Sequence, residues 1–178
     1  MKRRKTILLA VDLAAVALLT YFDQFTKYLA VFHLKGKPDI PILKDILVLQ
    51  YLENKGAAFG MLQNQKIFFL LIEILILLVI GFALVKMPAD KKYNLMHLTA
   101  VLVAGGAIGN MIDRVVQDYV VDFIYFVLID FPIFNVADIY VTCATVLFVV
   151  TVLFYYKEED FSFLGIKQNR TKTPDQKD

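Results

Sequence analysis

A helix needs roughly 20 mainly apolar residues to cross about 30 Å of hydrocarbon, and four stretches of this chain have that length: about 6–26, 67–86, 95–112 and 135–156. With 58% hydrophobic residues, fifteen phenylalanines and a mean hydropathy of +0.61, the chain is too apolar for an ordinary soluble domain of 178 residues. The fold class expected is an all-α membrane protein with four transmembrane helices. A net charge of +2 is too small to suggest a nucleic-acid partner. The single cysteine, Cys143, permits no intramolecular disulfide.

Orientation follows from where Lys and Arg fall in the short flanking segments. Lys2, Arg3, Arg4 and Lys5 precede the first stretch, Lys86, Lys91 and Lys92 lie in the second turnaround, and Lys157, Lys167, Arg170, Lys172 and Lys177 follow the last. An N-in, C-in topology is expected, although Lys35, Lys37, Lys44, Lys55 and Lys66 weaken the bias by falling in the first outer loop. The basic start followed by an apolar run also resembles a secretory signal with a cleavage point at Ala15-Val16-Ala17. Asp12 interrupts such a signal and the apolar pattern continues to Phe22, so the run is read as a retained helix. Asp12 itself is expected to face the bundle or to be protonated near its cytoplasmic end.

The outer loops fall at about 27–66 and 113–134. The first contains Pro38, Pro41 and the β-rich stretch Ile46 to Leu52, which predicts a small antiparallel element on the outer face. In the second, Asp118, Asp122, Asp130 and Pro132 break an apolar segment into pieces too short to cross, which predicts interfacial structure returning the chain to the same side. Residues 1–156 then form one integral membrane domain, and 157–178 a polar, disordered cytoplasmic tail. Its Asn169-Arg170-Thr171 triplet matches a glycosylation acceptor by chance.

Reactive side chains are scarce. Ser162, the only serine, lies in the tail; Cys143 lies within an apolar run; His33 and His97 are far apart. No His-Glu-x-x-His or Cys-x-x-Cys pattern offers a metal a site, and no cofactor is expected. If the chain hydrolyses anything, carboxylates must activate the water, and Asp122 and Asp138 are the leading candidates. The topology brings polar residues to one depth: Asp23 and Lys27 at the end of the first helix, Asn54 in the loop, Asn110, Asp113 and Arg114 at the end of the third helix, and Asn135 and Asp138 at the start of the fourth. Helix ends ordinarily collect polar groups. Asn and Asp cannot snorkel far, however, and the three-residue spacing of Asn135 and Asp138 puts both on one helical face. A shared site is the economical reading. Gly105 and Gly109 are spaced to let a neighbouring helix approach. Gly56 and Gly60 suggest a tight backbone segment, for which an ordinary turn is an equally good account. Arg114 is expected to pair with Asp113 and to hold that helix end rigid.

Five strings in this order resemble the lipoprotein signal peptidases, or signal peptidase II, bacterial aspartic proteases that act within the membrane. They are Asp23-Gln24-Phe25-Thr26-Lys27, Asn54 to Gly60, Gly105 to Arg114, Val120-Val121-Asp122-Phe123 and Phe134 to Asp138. The resemblance implies that Asp122 and Asp138 form a catalytic dyad. The dyad would cut membrane-anchored, diacylglyceryl-modified prolipoproteins before the lipid-bearing cysteine. It implies that Asn54, Asn110, Arg114 and Asn135 position substrate or dyad and that Asp23 holds the first helix. Lys27, Gly56, Gly105 and Asp113 support the site. It also implies a β-cradle on the membrane, inhibition by the peptide antibiotic globomycin, contact with membrane lipid, a monomer, and a place in the bacterial inner membrane with the site at the outer leaflet. Ile139 departs from the pattern, since a small residue usually follows the last aspartate. That substitution is expected to alter packing behind the dyad.

Two carboxylates close together in a poorly solvated site share a proton, so one acts as base and the other as acid. The competing reading is a proton- or ion-coupled carrier with a carboxylate relay. Carriers place such groups near the midplane of interrupted helices, often in repeated halves. Here Asp12 is read as the only group deep in a span, and the motifs do not recur.

Overall fold

The computed structural model describes residues 2–56 and 64–165. Its first helix, α1, runs from Lys2 to Leu34. Strands β1 (Ile40–Leu43) and β2 (Leu47–Asn54) follow, then α2 (Lys66–Lys86). A 3-10 turn at Lys91–Tyr93 leads into α3 (Asn94–Gln117), which is followed by strand β3 (Val120–Phe126) and α4 (Val136–Phe154). Each of the four α-helices is long and apolar enough to cross a membrane.

α3 is the axis of the bundle and packs on α1, α2 and α4. Its contact face carries Ala104, Gly105, Gly106, Ala107 and Gly109, all buried. Small residues let backbones come close where lipid supplies no hydrophobic drive between helices. A methyl group at Gly106 would lie 2.7 Å from the Ala137 carbonyl oxygen of α4, and one at Gly105 2.9 Å from Leu19 Cβ of α1. At Gly109 it would overlap the Asp23 carboxylate.

The strands form an antiparallel sheet of order β1-β2-β3. In the β2–β3 pair, Leu49 faces Ile124, and after an irregularity Leu52 faces Asp122 and Asn54 faces Val120. Successive strand side chains point to opposite faces. Val121 and Phe123 pack with Ala30 and Leu34 at the end of α1, which turns Asp122 to the other face. Phe134 then pairs with β3, its carbonyl accepting from the Phe123 and Ile124 amides at 3.0 and 2.9 Å, and this delivers the chain to the start of α4 beside Asp122.

Three expectations are corrected. The first helix does not end near residue 26: Ala30 and Leu34 bury against the sheet, so the helix continues and the loop begins after Leu34. The third helix runs on past 112, so Asp113 and Arg114 lie within it, and the return segment supplies β3. The chain after Tyr156 is not disordered throughout. Glu158–Leu164 forms a 3-10 helix whose Phe161 and Phe163 pack with Met87, Met96 and Tyr156, and whose Asp160 pairs with Lys92 at 2.5 Å. Gly60 and the Asn169 triplet lie outside the described residues.

The glycine contact carries a prediction. Gly109→Ala should cost about 2 kcal/mol through overpacking, seen as a drop of roughly 4–8 °C in the thermal midpoint of detergent-purified protein. Gly81→Ala, whose added methyl meets nothing within 4 Å, should leave the midpoint unchanged or slightly raised.

Candidate active site

Asp23, Lys27 and Asp113 are all buried. The Lys27 ammonium on α1 lies 2.9 Å from Asp23 Oδ2 and 3.1 Å from Asp113 Oδ2, and donates to Asn110 Oδ1 at 2.8 Å. Asp23 Oδ1 accepts the Ala137 amide at the first turn of α4, 2.9 Å away. Asp113 Oδ2 accepts the Val121 amide of β3 at 3.1 Å, and its other oxygen accepts from Gln24 Nε2 at 2.9 Å. Charged groups in a low dielectric are stable only when their remaining donors and acceptors are used. This cluster meets that condition and fastens α1, α3, β3 and α4 together.

Asp122 and Asp138 lie above it. Asp122 Oδ2 accepts from Asn54 Nδ2 at 2.8 Å and Oδ1 from Asn135 Nδ2 at 2.6 Å. Asp138 Oδ1 accepts from Asn110 Nδ2 at 3.0 Å and Oδ2 from the Asn135 amide at 3.0 Å. Asn135 caps α4, its Oδ1 accepting the Asp138 amide at 3.1 Å. The pair is a reciprocal capping box, a tighter relation than the shared helical face expected from spacing. Asn135 also donates to Asn110 Oδ1 at 3.2 Å, and Asn54 Oδ1 accepts the Gly56 amide at 2.9 Å. Neutral amides therefore hold the Asp122 carboxylate, and one side-chain amide and one backbone N–H hold Asp138. No side-chain cation touches either among the described residues. Burial, reinforced by the neighbouring Asp138 carboxylate, pushes the Asp122 carboxyl up to about 7.

Both aspartates open onto a cavity of about 440 Å³ whose wall includes Asn54, Asn110, Arg114, Phe134 and Thr142. Ile139 is part of the lining of this cavity. Among the described residues no group of three or more His, Cys, Asp or Glu could hold a metal.

Asp23, Lys27, Asn54, Gly56, Asn110, Asp113, Asn135 and the two candidate aspartates thus come together. Gly105 lies deeper, at the α1 contact. Arg114 does not pair with Asp113: it donates to Glu73 of α2, with its guanidinium 4.9 Å from the Phe69 ring centre. Adjacent helical residues point in different directions, which separates Arg114 from Asp113. Glu73 was not anticipated, and Asp12 is consequently not the only ionisable group deep in a span. A lone carboxylate among the apolar residues of α2 was the available signal. Asp12 does face the bundle, 2.7 Å from His97 Nδ1.

The family model for signal peptidase II matches residues 15–154. The lipoprotein signal peptidase of Caldanaerobacter subterraneus subsp. tengcongensis is 43% identical over 140 residues, covering 78% of this chain and 93% of that protein. The lipoprotein signal peptidase of Brevibacillus brevis is 40% identical over 154 residues, covering 86% and 95%. A solved bacterial membrane enzyme, determined by the in meso method at 2.3 Å resolution, superposes with a TM-score of 0.71 at 32% identity, covering 84% of this chain and 93% of its own.

Removing the buried ammonium would leave Asp23 and Asp113 uncompensated. Lys27→Met should therefore destabilise by about 3–5 kcal/mol, measured by thermal or denaturant unfolding in detergent. Lys35→Met, which breaks a half-exposed pair with Glu53, should change stability by less than about 1 kcal/mol.

Proposed function

The chain belongs to the signal peptidase II family and removes signal peptides from prolipoproteins, and we propose that Asp122 and Asp138 are the carboxylates that perform the cleavage. The observation that carries this assignment is their shared cavity, in which, among the described residues, each carboxylate is held by two hydrogen-bond donors and neither by a side-chain cation.

Asp122, held near neutrality, carries the shared proton at rest, and Asp138 is the base. Asp138 takes a proton from water as the water oxygen attacks the scissile carbonyl. Asp122 donates a hydrogen bond to the carbonyl oxygen as negative charge develops there, then transfers its proton. The tetrahedral adduct collapses with a proton delivered to the departing amine, and the dyad again holds one proton. No covalent enzyme intermediate forms. The remaining supporting residues act through position: Asn54 and Asn135 orient Asp122, Asn110 and Asn135 orient Asp138, and the Lys27 cluster holds the elements that carry them.

The substrate is a diacylglyceryl-modified precursor cut before its lipidated cysteine. Lys5 donates to the Val85 carbonyl at the far end of α2, and the Lys92–Asp160 pair lies at that same basic end, opposite the sheet. The positive-inside rule puts this end in the cytoplasm and the dyad at the outer leaflet of the bacterial inner membrane. The precursor, anchored by its own helix and acyl chains, is then already concentrated at the depth of the dyad. Membrane lipid surrounds the helices, globomycin competes for the cavity, and the protein works as a monomer. The interrupted, repeated helices of a carrier have no counterpart among the described elements.

Purified protein and a diacylated prolipoprotein test this reading. Asp122→Asn and Asp138→Asn should each lower cleavage by roughly a thousandfold or more while remaining folded; retained activity in either folded variant would remove the assignment. Activity needs one proton on the pair. It should fall as pH rises through about 7 and Asp122 ionises, and fall again in acid once the pair as a unit holds two protons, a profile read from kcat against pH. An unlipidated precursor should be cleaved far more slowly than the diacylated one, and equal rates in detergent would contradict the lipid dependence.

A further inference from the structure

Glu73 is the only buried residue in the twenty-one of α2. Ile67, Leu71, Leu75, Leu78 and Val79 face outward, where lipid satisfies them. A carboxylate in that setting needs a partner, and it has one. Arg114 Nη1 donates to Glu73 Oε1. Phe69, four residues before Glu73 and on the same helical face, presents its ring to the same guanidinium at 4.9 Å. Carboxylate and ring together grip Arg114 from α2. Arg114 is also part of the wall of the cavity that holds Asp122 and Asp138.

A guanidinium released in a poorly solvated cavity moves toward the nearest uncompensated negative charge. The other charged groups around the site are already engaged: Asp23 and Lys27 of α1 pair with one another, Asp113 of α3 pairs with Lys27, and Asp118, one turn beyond Arg114 at the end of α3, pairs with Lys66 at the start of α2 at 2.5 Å. Lys55, after β2, is exposed to solvent, and β2 itself offers the neutral Asn54. The dyad is the uncompensated charge that remains. We propose that Glu73 is a positioning residue for signal-peptide cleavage, holding Arg114 in the cavity wall and keeping its guanidinium off Asp122 and Asp138. The inference rests on the dyad assignment above.

The test compares Glu73→Gln, Arg114→Gln and the double variant with wild type, using a diacylated prolipoprotein and measuring kcat, KM and the pH profile. Glu73→Gln should lower kcat by roughly ten- to a hundredfold and move the alkaline limb to lower pH, because a cation beside the dyad favours its ionised form. In the Arg114→Gln background, Glu73→Gln should have no further effect on kcat or on the limb. An equal loss with and without Arg114, or an unmoved limb, would overturn the proposal, since lost helix packing does not depend on the guanidinium. If Glu73→Gln does not accumulate in the membrane, Glu73→Asp supplies the comparison with its charge on a shorter arm. A kcat loss that vanishes without Arg114 supports the proposal, and one that persists overturns it. Cleavage by folded Asp122→Asn in the same assay would instead remove the dyad reading, and the proposal with it.

Discussion

One buried ammonium holds the site together. Lys27 reaches Asp23, Asp113 and Asn110, and through those partners touches every described element that carries a candidate catalytic group. Asp23 passes the connection to the first turn of α4, and Asp113 passes it to the backbone of β3. Such a cluster adds little net stability, because the cost of desolvating three charges offsets most of their attraction. Its contribution is geometric: any slip of one element leaves a charge without a partner in a medium that cannot solvate it. Gly109 makes the arrangement feasible, since a side chain there would occupy the space of the Asp23 carboxylate.

Amides separate this cluster from the dyad, and the separation has a chemical consequence. A direct Lys27–Asp122 contact would stabilise the carboxylate and drive off the proton that an acid needs. Asn110 intervenes instead, accepting from Lys27 and donating to Asp138. It transmits position while delivering only part of the charge. Lys27 still lowers the Asp122 proton affinity slightly, but burial and Asp138 outweigh it.

The four helices were legible because length and apolarity leave a membrane segment few alternatives, and the polar strings were legible because they fall at the ends of the apolar segments and in the loops between them. β3 was not. Val120, Val121, Asp122 and Phe123 are all buried, so the alternation that marks a half-exposed strand is absent. The 3-10 helix after Tyr156 was hidden by its charged start, Lys157-Glu158-Glu159-Asp160, which masks the apolar Phe161 and Phe163 that pack on the bundle. Asn135-x-x-Asp138 was read for its spacing, yet a polar cap followed three residues later by a carboxylate is also a helix-start signal, and that is the role it takes. Arg114 was assigned to its neighbour in sequence, although side chains one residue apart on a helix do not face each other.

Low dielectric imposes a rule on the ionisable groups packed within this bundle: each must meet an opposite charge or a group able to share its proton. Asp12 meets His97, Glu73 meets Arg114, and Asp23 and Asp113 meet Lys27. Asp122 and Asp138 are the exception among the described residues, two acids in one cavity held by amides and a single backbone N–H. Such a pair is costly as two anions and inert as two neutral acids, so the singly protonated form is the one its surroundings favour. Water activation needs a base and an acid side by side, and that protonation state supplies both. The same pairing that makes the rest of the described bundle chemically quiet therefore leaves the proposed reactive pair at the place where the sheet, α3 and α4 meet.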